Sequence, residues 1–181
     1  MNPQFELVSG AIRLRPFTVA DTDTVFRLSQ EAGMRRWIPT QVYRDRAQAR
    51  AVLDHLIAHY HDRADPRIEP IVFGVELAPA GELIGHVGLS PVGAEVEIGF
   101  AIAAARQGRG YATAAVAAMC GWALTEFRLP RIHGFVAKGN EASKRVLLRA
   151  GFIAAGERTM PFQGAVETVD GFVLAGTGGR T

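Results

Sequence analysis

A glycine-rich turn between a predicted strand and a predicted helix is the feature that most constrains this chain. The turn reads Gln107-Gly108-Arg109-Gly110-Tyr111-Ala112 and follows the strand-like residues 96–102. Gly108 and Gly110 lack Cβ atoms, so the backbone can come close to a ligand. The amides left free at the helix start, together with the positive end of the helix dipole, favour a phosphate or pyrophosphate. The turn therefore predicts an anion-binding site.

Two familiar phosphate-binding patterns compete for this turn. The Walker pattern requires Gly-x-x-x-x-Gly-Lys-Ser/Thr, and the sequence contains no such string, so this pattern is excluded. The dinucleotide fingerprint Gly-x-Gly-x-x-Gly is met by Gly108 and Gly110, but Thr113 stands where its third glycine belongs. The next predicted strand also runs into Ala137-Lys138-Gly139, without the acidic residue that would hold a ribose. A dinucleotide cofactor remains only a minor alternative.

Length and composition predict one globular domain. The 181 residues are 48% hydrophobic and 21% charged, which is ordinary for a domain with its own core. We expect a single domain over residues 1–181, with its core at about residues 11–175 and a flexible glycine-rich tail at 176–181. The net charge is only +2, so charge does not indicate a nucleic-acid partner.

The single cysteine and the absence of a long apolar run indicate the cellular compartment of the protein. Cys120 has no partner for a disulfide and lies within an apolar helical pattern, which favours a buried thiol in a reducing environment. The N-terminal residues do not form a signal peptide, and no run of 18 apolar residues occurs. The sequence therefore predicts a cytoplasmic protein without a membrane partner.

The hydrophobic periodicity predicts an α/β (α+β) domain. Strand-like alternation and helical spacing give the order strand, two helices, three strands, helix, strand, helix, two strands. The predicted strands are residues 12–15, 71–77, 83–90, 95–102, 131–136, 152–158 and 167–174, and the predicted helices are 20–30, from about 45, 112–127 and 141–150. The strands at 71–77, 83–90 and 95–102 should be antiparallel neighbours, because short turns connect them.

A third pattern, Gln/Arg-x-x-Gly-x-Gly/Ala, fits the turn residue by residue through Gln107, Gly110 and Ala112. Upstream lies Glu97-Ile98-Gly99-Phe100, and downstream lie Asn140-Glu141-Ala142-Ser143 and Ala150-Gly151-Phe152. With this ordered set, the chain resembles the GNAT N-acetyltransferases over about residues 13–174. Met34-Arg35-Arg36-Trp37-Ile38-Pro39 resembles a connection in the ribosomal-protein N-terminal acetyltransferase (RimJ/RimL-like) branch. The resemblance implies the GNAT fold, a mostly antiparallel sheet of about seven strands flanked by about four helices.

The resemblance also implies that acetyl-CoA binds between the strand ending near Ile102 and the strand at 131–136. Backbone groups near residues 100–103 would pair with pantetheine, and amides of the turn would hold the pyrophosphate. The cofactor-binding residues implied are Phe100, Ala101, Ile102, Gln107, Gly108, Arg109, Gly110, Tyr111, Ala112, Thr113 and Asn140. Arg106 or Arg109 can meet the 3′-phosphate of the adenosine, or both can be solvated surface arginines.

Transfer of an acyl group to an amine needs a base, and Glu97 is the candidate. Strand alternation places Glu97 with Glu95 and Gly99 on one face; the alternative is a glutamate on a solvated strand face. Ser143 is the candidate acid for the departing thiolate, because Leu147 stands where many family members carry a tyrosine. The alternative for Ser143 is an ordinary serine in a first helical turn.

The resemblance gives weaker indications about the acceptor. Trp37 and His86 are candidate substrate-binding residues, although both can be packing residues instead.

The histidines at 55, 59 and 61 do not accompany a Glu-His pair of the zinc-protease type, so we expect a solvated helix face and no metal. Residues 160–163 lack the carboxylate that this branch can use, which weakens a ribosomal-protein substrate.

The expected activity is therefore transfer of an acetyl group from acetyl-CoA directly to a primary amine. The amine belongs to a protein or peptide N-terminus or to a small molecule, and the sequence does not identify it. The resemblance is also compatible with a homodimer. The alternative from another functional class is a non-catalytic acyl-CoA-binding module on the same fold.

Overall fold

A single eight-stranded sheet connects the two halves of the chain in the computed structural model, which describes residues 6–60 and 64–176. The strands are β1 Leu7–Ser9, β2 Ile12–Arg15, β3 Ile71–Leu77, β4 Glu82–Val92, β5 Glu95–Ile102, β6 Arg131–Ala137, β7 Ile153–Phe162 and β8 Ala165–Ala175. The helices are α1 Thr22–Ser29, α2 Ala32–Trp37, α3 Arg46–His59, α4 Tyr111–Glu126 and α5 Glu141–Arg149, with short 3-10 turns at Val19–Asp21, Pro39–Gln41 and Ala104–Arg106.

The sheet changes direction once, between β5 and β6. The strand order is β1-β2-β3-β4-β5-β6-β8-β7, and all neighbours are antiparallel except β5 and β6. Those two parallel strands share one recorded cross-strand pair, Glu97 with His133. No pair joins residues 98–102 to residues 134–137 in the described chain, so the two strands separate toward their carboxyl ends.

One face of the sheet carries the main core because apolar residues alternate along its strands. Helices α4 and α5 cover this face. The ring of Trp122 in α4 lies 5.7 Å from the ring of Phe73 in β3. Leu147 in α5 fills the space above Gly134 in β6, where a Cβ would come within 2.7 Å of its side chain. On the opposite face, the ring of Phe17 covers Gly74 in β3.

A buried network of ion pairs connects β2 and β3 to Asp21, the residue before helix α1. The Arg15 guanidinium donates to both carboxylate oxygens of Asp21 at 2.9 Å and to Glu76 at 2.5 Å. Arg13 also donates to Glu76, through Nε at 2.9 Å. The Asp21 and Glu76 side chains are only 9% and 5% exposed, so both depend on these partners rather than on water.

The predicted fold class is confirmed, while residues 6–60 and 64–176 contain eight strands and five helices rather than about seven and about four. The additional strand β1 has only three residues, too few for a periodic signal, and pairs with β2 across a turn with Gly10 at φ +58°. The additional helix α2 has six residues, and Gly33 in its first turn reads in the sequence as the end of the preceding helix.

The last two strands are also longer than predicted, because they form a continuous hairpin. The turn between them places Gln163 and Gly164 at φ +50° and +90°, as a two-residue hairpin turn requires. Pro161 is tolerated because β7 is the edge strand of the sheet. At the start of the predicted flexible tail, the Gly176 amide donates to the Pro130 carbonyl at 2.9 Å. Residues 177–181 of that tail lie outside the described residues.

Candidate functional site

The glycine-rich turn leaves backbone amides without a side-chain cap at the start of α4. Gly108 and Gly110 adopt φ +76° and +82°, a region that residues with a Cβ rarely occupy. Gly110 is the N-cap of α4, and no side chain caps that helix start. The amides of the first helical turn therefore have no partner within the helix. A Cβ at either glycine would meet no atom within 4 Å, so open space lies beside the turn.

Contacts within the protein hold this turn against the end of β5. The Gln107 side chain donates to the Ile102 carbonyl at 2.8 Å, and the Ala103 amide donates to the Ile84 carbonyl at 2.7 Å. Arg106 donates to both oxygens of Glu82 at 3.1 and 2.6 Å. By contrast, Arg109 has no hydrogen bond or ion pair within the described chain. Of the two arginines considered for an adenosine phosphate, Arg109 is the one that is free.

The candidate cofactor residues lie on both sides of the gap between β5 and β6. At the end of β5, Phe100 packs against the core, Ala101 is half-buried and Ile102 is 8% exposed. Tyr111, Ala112 and Thr113 form the half-buried first turn of α4. After β6, the Asn140 side-chain oxygen accepts the Ser143 amide at 3.2 Å, so Asn140 is the N-cap of α5.

Glu97 lies on the face of the sheet opposite α4 and α5. It is directly across from Ser90 in β4 and from His133 in β6. Its carboxylate is half-buried and has no hydrogen bond or ion pair among the residues that the structure describes. Desolvation by burial raises the pKa of Glu97 above the usual glutamate value. A half-buried carboxylate without a partner is unfavourable for folding, which makes it a candidate functional group.

The sheet is open next to Glu97, at Gly99. Strands β4 and β6 flank β5 on both sides, yet Gly99 is exposed, and a Cβ there would meet no atom within 4 Å. An exposed position in the middle of a central strand means that no helix or loop covers this part of the face. We refer to this uncovered surface along β5, which includes Gly99 and lies beside the half-buried Glu97, as the cleft.

The candidate residues Ser143 and His86 have different surroundings. Ser143 is half-buried in the first turn of α5, and its hydroxyl has no hydrogen-bond partner in the described residues. Leu147, the residue at the usual tyrosine position, is 1% exposed and belongs to the core. His86 lies on the same face as Glu97, opposite Ala101, and burial lowers its pKa to about 4. His86 is therefore neutral at pH 7.

Trp37 belongs to a segment that spans the open end of the gap. The Glu31 carboxylate accepts the Ala104 amide at 2.8 Å, just beyond β5, and the Thr40 hydroxyl bonds the Gln163 side chain at 2.5 Å in the β7–β8 turn. The half-buried ring of Trp37 stacks with Arg36, whose guanidinium carbon is 4.3 Å from the ring centre. Sequence reasoning missed Glu31 and Gln163, since these contacts join residues 73 and 123 positions apart.

No metal site is visible in the described ranges 6–60 and 64–176, where no three His, Cys, Asp or Glu side chains come together. His55 and His59 have ring centres 4.2 Å apart, and His59 pairs with Glu69 at 2.7 Å. His61 lies outside the described residues. Of the helices in the described ranges, none is long and apolar enough to span a membrane.

A glycine-rich turn at a helix N-terminus, beside two parallel strands that separate toward their carboxyl ends, is an arrangement suited to a phosphorylated ligand. The sequence profile of the Acetyltransferase (GNAT) domain matches residues 11–153. The chain therefore belongs to the GNAT acetyltransferase family. The proteins of this family that it resembles are N-acetyltransferases, and GNAT domains use acetyl-CoA.

Three similar proteins illustrate the relationship. The chain is 26% identical over 149 residues to the uncharacterized N-acetyltransferase YoaA of Bacillus subtilis (strain 168), covering 81% of each sequence. Its fold matches the ribosomal-protein-S5-alanine acetyltransferase of Vibrio fischeri with a TM-score of 0.79 at 18% identity, covering 98% of this chain and 100% of the other. It matches Mycobacterium smegmatis RimJ, solved in complex with CoA-disulfide, with a TM-score of 0.75 at 24% identity, covering 96% of this chain and 88% of RimJ.

Proposed function

We propose that this protein transfers an acetyl group from acetyl-CoA directly to a primary amine that enters the cleft over Gly99. The observation that carries the proposal is the position of Glu97, a half-buried carboxylate without a partner in the described chain, beside that cleft. A non-catalytic acyl-CoA-binding module would need the glycine-rich turn but would gain nothing from such a carboxylate. Glu97 therefore favours the enzyme over the binding module.

In this proposal the cosubstrate lies along the gap between β5 and β6. The amides of the turn and of the first turn of α4 hold the pyrophosphate, while Arg109 is free to meet the 3′-phosphate. Backbone groups of residues 100–103 and the Asn140 side chain contact pantetheine. The thioester is then presented to the cleft beside Glu97, where the amine arrives from the other side of the gap.

The chemistry requires a neutral amine. A lysine-type amine with a pKa of about 10.4 must be deprotonated at a cost of about 4.6 kcal/mol at pH 7, whereas an α-amine with a pKa of about 7.8 costs about 1 kcal/mol. Glu97 takes this proton, directly or through water, and the amine attacks the thioester carbonyl to give a tetrahedral intermediate. The intermediate loses its remaining ammonium proton to water and collapses with loss of the CoA thiolate. Ser143 protonates the thiolate and regains its own proton from water. No metal takes part in the proposed reaction.

The proposal is tested by thiol release from acetyl-CoA, read with a thiol reagent, in the presence and absence of amines. The panel contains peptides with N-terminal Ala, Ser and Thr, together with free amino acids and polyamines. Release that depends on the amine supports the transferase. If CoA raises the melting temperature but no amine releases thiol, the binding module is the better description.

Replacing Gly110 with alanine should weaken CoA binding. The substitution forces a residue with a Cβ into φ +82°, at a cost of about 1–2 kcal/mol, and so displaces the helix start that holds the pyrophosphate. Isothermal titration with CoA should show a higher Kd. Gly121→Ala is the matched control on the same helix, because its Cβ meets no atom within 4 Å and alanine favours helix by about 1 kcal/mol. Equal CoA affinity in the two variants would contradict the assigned role of the turn.

Replacing Ser143 with alanine should lower kcat by about tenfold or more with little change in KM for acetyl-CoA, because a lost proton donor affects the leaving thiolate rather than binding. Ser143→Thr retains a hydroxyl and should keep most of the activity. Steady-state kinetics of both variants distinguish a proton donor to the thiolate from an ordinary serine in the first turn of a helix. Full activity in Ser143→Ala would mean that water, and not Ser143, protonates the departing thiolate.

Three further features remain proposals. We propose a cytoplasmic protein that acts on its amine without nucleic acid or membrane, supported by the low net charge of +2 and the single cysteine. The homodimer is supported by the resemblance alone. Light scattering at micromolar concentration tests it: a molar mass of two protomers supports the homodimer, and a molar mass of one protomer contradicts it.

A further inference from the structure

His133 is the residue of β6 that lies directly beside Glu97. In the described chain, Glu97 and His133 form the recorded cross-strand pair between β5 and β6, and the two strands separate beyond it. The partners of such a pair have their side chains on the same face of the sheet, and neighbouring strands are about 4.8 Å apart. The two side chains therefore stand next to each other where the gap for the cosubstrate begins.

Two contacts hold the His133 ring in place. Its Nε2 atom lies 3.3 Å from a carboxylate oxygen of Glu95, and the ring stacks on Phe135 with centres 5.9 Å apart and planes 8° apart. Glu95 is held in turn by Arg158 at 2.6 Å.

The two nitrogens of the His133 ring have different surroundings. Nε2 is buried and within ion-pair distance of Glu95, although the two groups are not aligned for a hydrogen bond. A histidine nitrogen that faces a carboxylate keeps its proton, so the free lone pair is on the other nitrogen, Nδ1. Nδ1 has no hydrogen bond within the described residues. His133 therefore has a basic nitrogen without a partner, on the same face as Glu97.

The charges around His133 leave it neutral at pH 7. Burial lowers the pKa of His133 below the ordinary histidine value of about 6.5. Glu95 opposes this change, whereas Arg131 on the same strand and Arg158 on β7 add to it. Glu97 is the other ionisable neighbour on β5, and β8 places an uncharged valine opposite the ring. A neutral imidazole in this position can accept a proton.

The proposed reaction has to remove two protons from the nitrogen of a protonated amine. Glu97 takes the first proton, which makes the amine nucleophilic. The attack then leaves a positive charge on the nitrogen of the tetrahedral intermediate. Until this nitrogen loses its second proton, it is a good leaving group, and the intermediate returns to acetyl-CoA and amine. Glu97 already carries a proton at this stage, so a second acceptor beside it is of direct use.

We propose that His133 is a second base, which accepts the remaining proton from the nitrogen of the tetrahedral intermediate and passes it to water. This inference rests on the proposed function. In this step the N–H bond breaks, its electron pair stays on the nitrogen, and the proton joins Nδ1 of His133. The C–S bond then breaks and the CoA thiolate leaves. Glu97 and His133 each release one proton to water and the thiolate takes up one, so one proton appears in solution for each protonated amine that is acetylated.

Replacing His133 with glutamine should lower kcat by about tenfold or more with little change in KM for acetyl-CoA, because the variant keeps a polar side chain and loses the basic nitrogen. Thiol release from acetyl-CoA measures the effect, with the amine that the wild-type protein acetylates fastest. Val173→Ala is the matched control, because Val173 is half-buried directly across from His133 in β8 and carries no ionisable group. An unchanged kcat in His133→Gln, or an equal loss in Val173→Ala, overturns the proposal.

The pH profile separates a second base from a residue that only supports the fold. The wild-type protein needs both Glu97 and His133 in their basic forms, so the plot of log kcat against pH should approach a slope of two on its acid side. In His133→Gln the slope should approach one, because only Glu97 remains to be protonated. The same slope in both proteins overturns the proposal.

Nitrogen-15 NMR of His133 tests the accepting atom without any turnover. At pH 7 the chemical shifts should show a neutral ring with the proton on Nε2, and a proton on Nδ1 overturns the proposal. The kinetic result separates this inference from the proposed function. If the wild-type protein releases thiol with an amine and His133→Gln does so equally fast, the transferase stands and the second base is refuted. If the wild-type protein releases no thiol with any amine of the panel, the transferase is refuted, and the second base with it.

Discussion

Replacing Glu97 with glutamine is expected to lower kcat for acetyl transfer by about 10²–10⁴-fold, because the variant keeps the size of the side chain and loses the proton acceptor. Acetyl-CoA binding should be unchanged, because the proposal assigns it to the turn at residues 107–112, to backbone groups of residues 100–103 and to Asn140, and not to the Glu97 side chain. Steady-state kinetics with a saturating amine measure the effect. Glu167→Gln is the matched control on the same face of the sheet, because Glu167 is an exposed carboxylate across from Met160 and should contribute little to kcat.

The pH dependence provides a second, independent test of Glu97. Burial raises the pKa of Glu97, so its basic form is lost as the pH falls through a value above that of an ordinary glutamate. Protonation of the free amine affects both enzymes equally. The ratio of wild-type kcat to Glu97→Gln kcat should therefore be largest near neutral pH and decrease toward one in acid. A ratio that stays constant with pH would contradict the assignment of Glu97 as the base.

Replacing Arg15 with leucine is expected to destabilise the protein by about 3–5 kcal/mol, because the change leaves two buried carboxylates without their main partner. Arg15 bonds Asp21 and Glu76, whose side chains are 9% and 5% exposed. Urea unfolding at pH 7 measures the change in free energy. Arg50→Leu is the control, since Arg50 and Asp54 form an exposed pair on α3 and should contribute about 0.5 kcal/mol or less. Similar losses in the two variants would contradict the account of the network.

Acid should weaken this network in the wild-type protein. Burial alone would raise the pKa of Asp21 and Glu76, but hydrogen bonds, those from Arg15 foremost, outweigh burial and lower both pKa values. The stabilisation is therefore complete above the unfolded-state values of about 4 and is lost as the pH falls through the lower folded-state values. The free energy of unfolding should fall less steeply with acid in Arg15→Leu. An identical slope in both proteins would show that Arg15 does not govern these carboxylates.

Local signals in the sequence were sufficient where one segment determines its own conformation. The predicted glycine-rich turn precedes helix α4, with both glycines at positive φ, and Asn140 caps α5 through its side chain. The antiparallel arrangement of β3, β4 and β5 also follows from short turns and alternating residues. In each of these cases the residues that decide the structure are neighbours in the chain.

Sequence signals were insufficient where stability comes from distant partners. Strand β1 has three residues and exists because β2 provides its hydrogen bonds. Helix α2 lies in a short segment, residues 31–40, whose two ends bond Ala104 and Gln163 from other parts of the chain. The ion pair between Glu95 and Arg158 joins residues 63 positions apart. No periodicity within a segment can predict such pairs.

The most direct test of the central claim is amine-dependent release of thiol from acetyl-CoA by the wild-type protein and by Glu97→Gln, measured side by side at pH 7 with equal CoA saturation. The account predicts release by the wild-type protein that requires an amine, and a loss of about 10²-fold or more in the variant. Release at the same rate by both proteins would contradict the role of Glu97. Absence of release from the wild-type protein, with CoA bound and the full acceptor panel present, would contradict the enzyme itself.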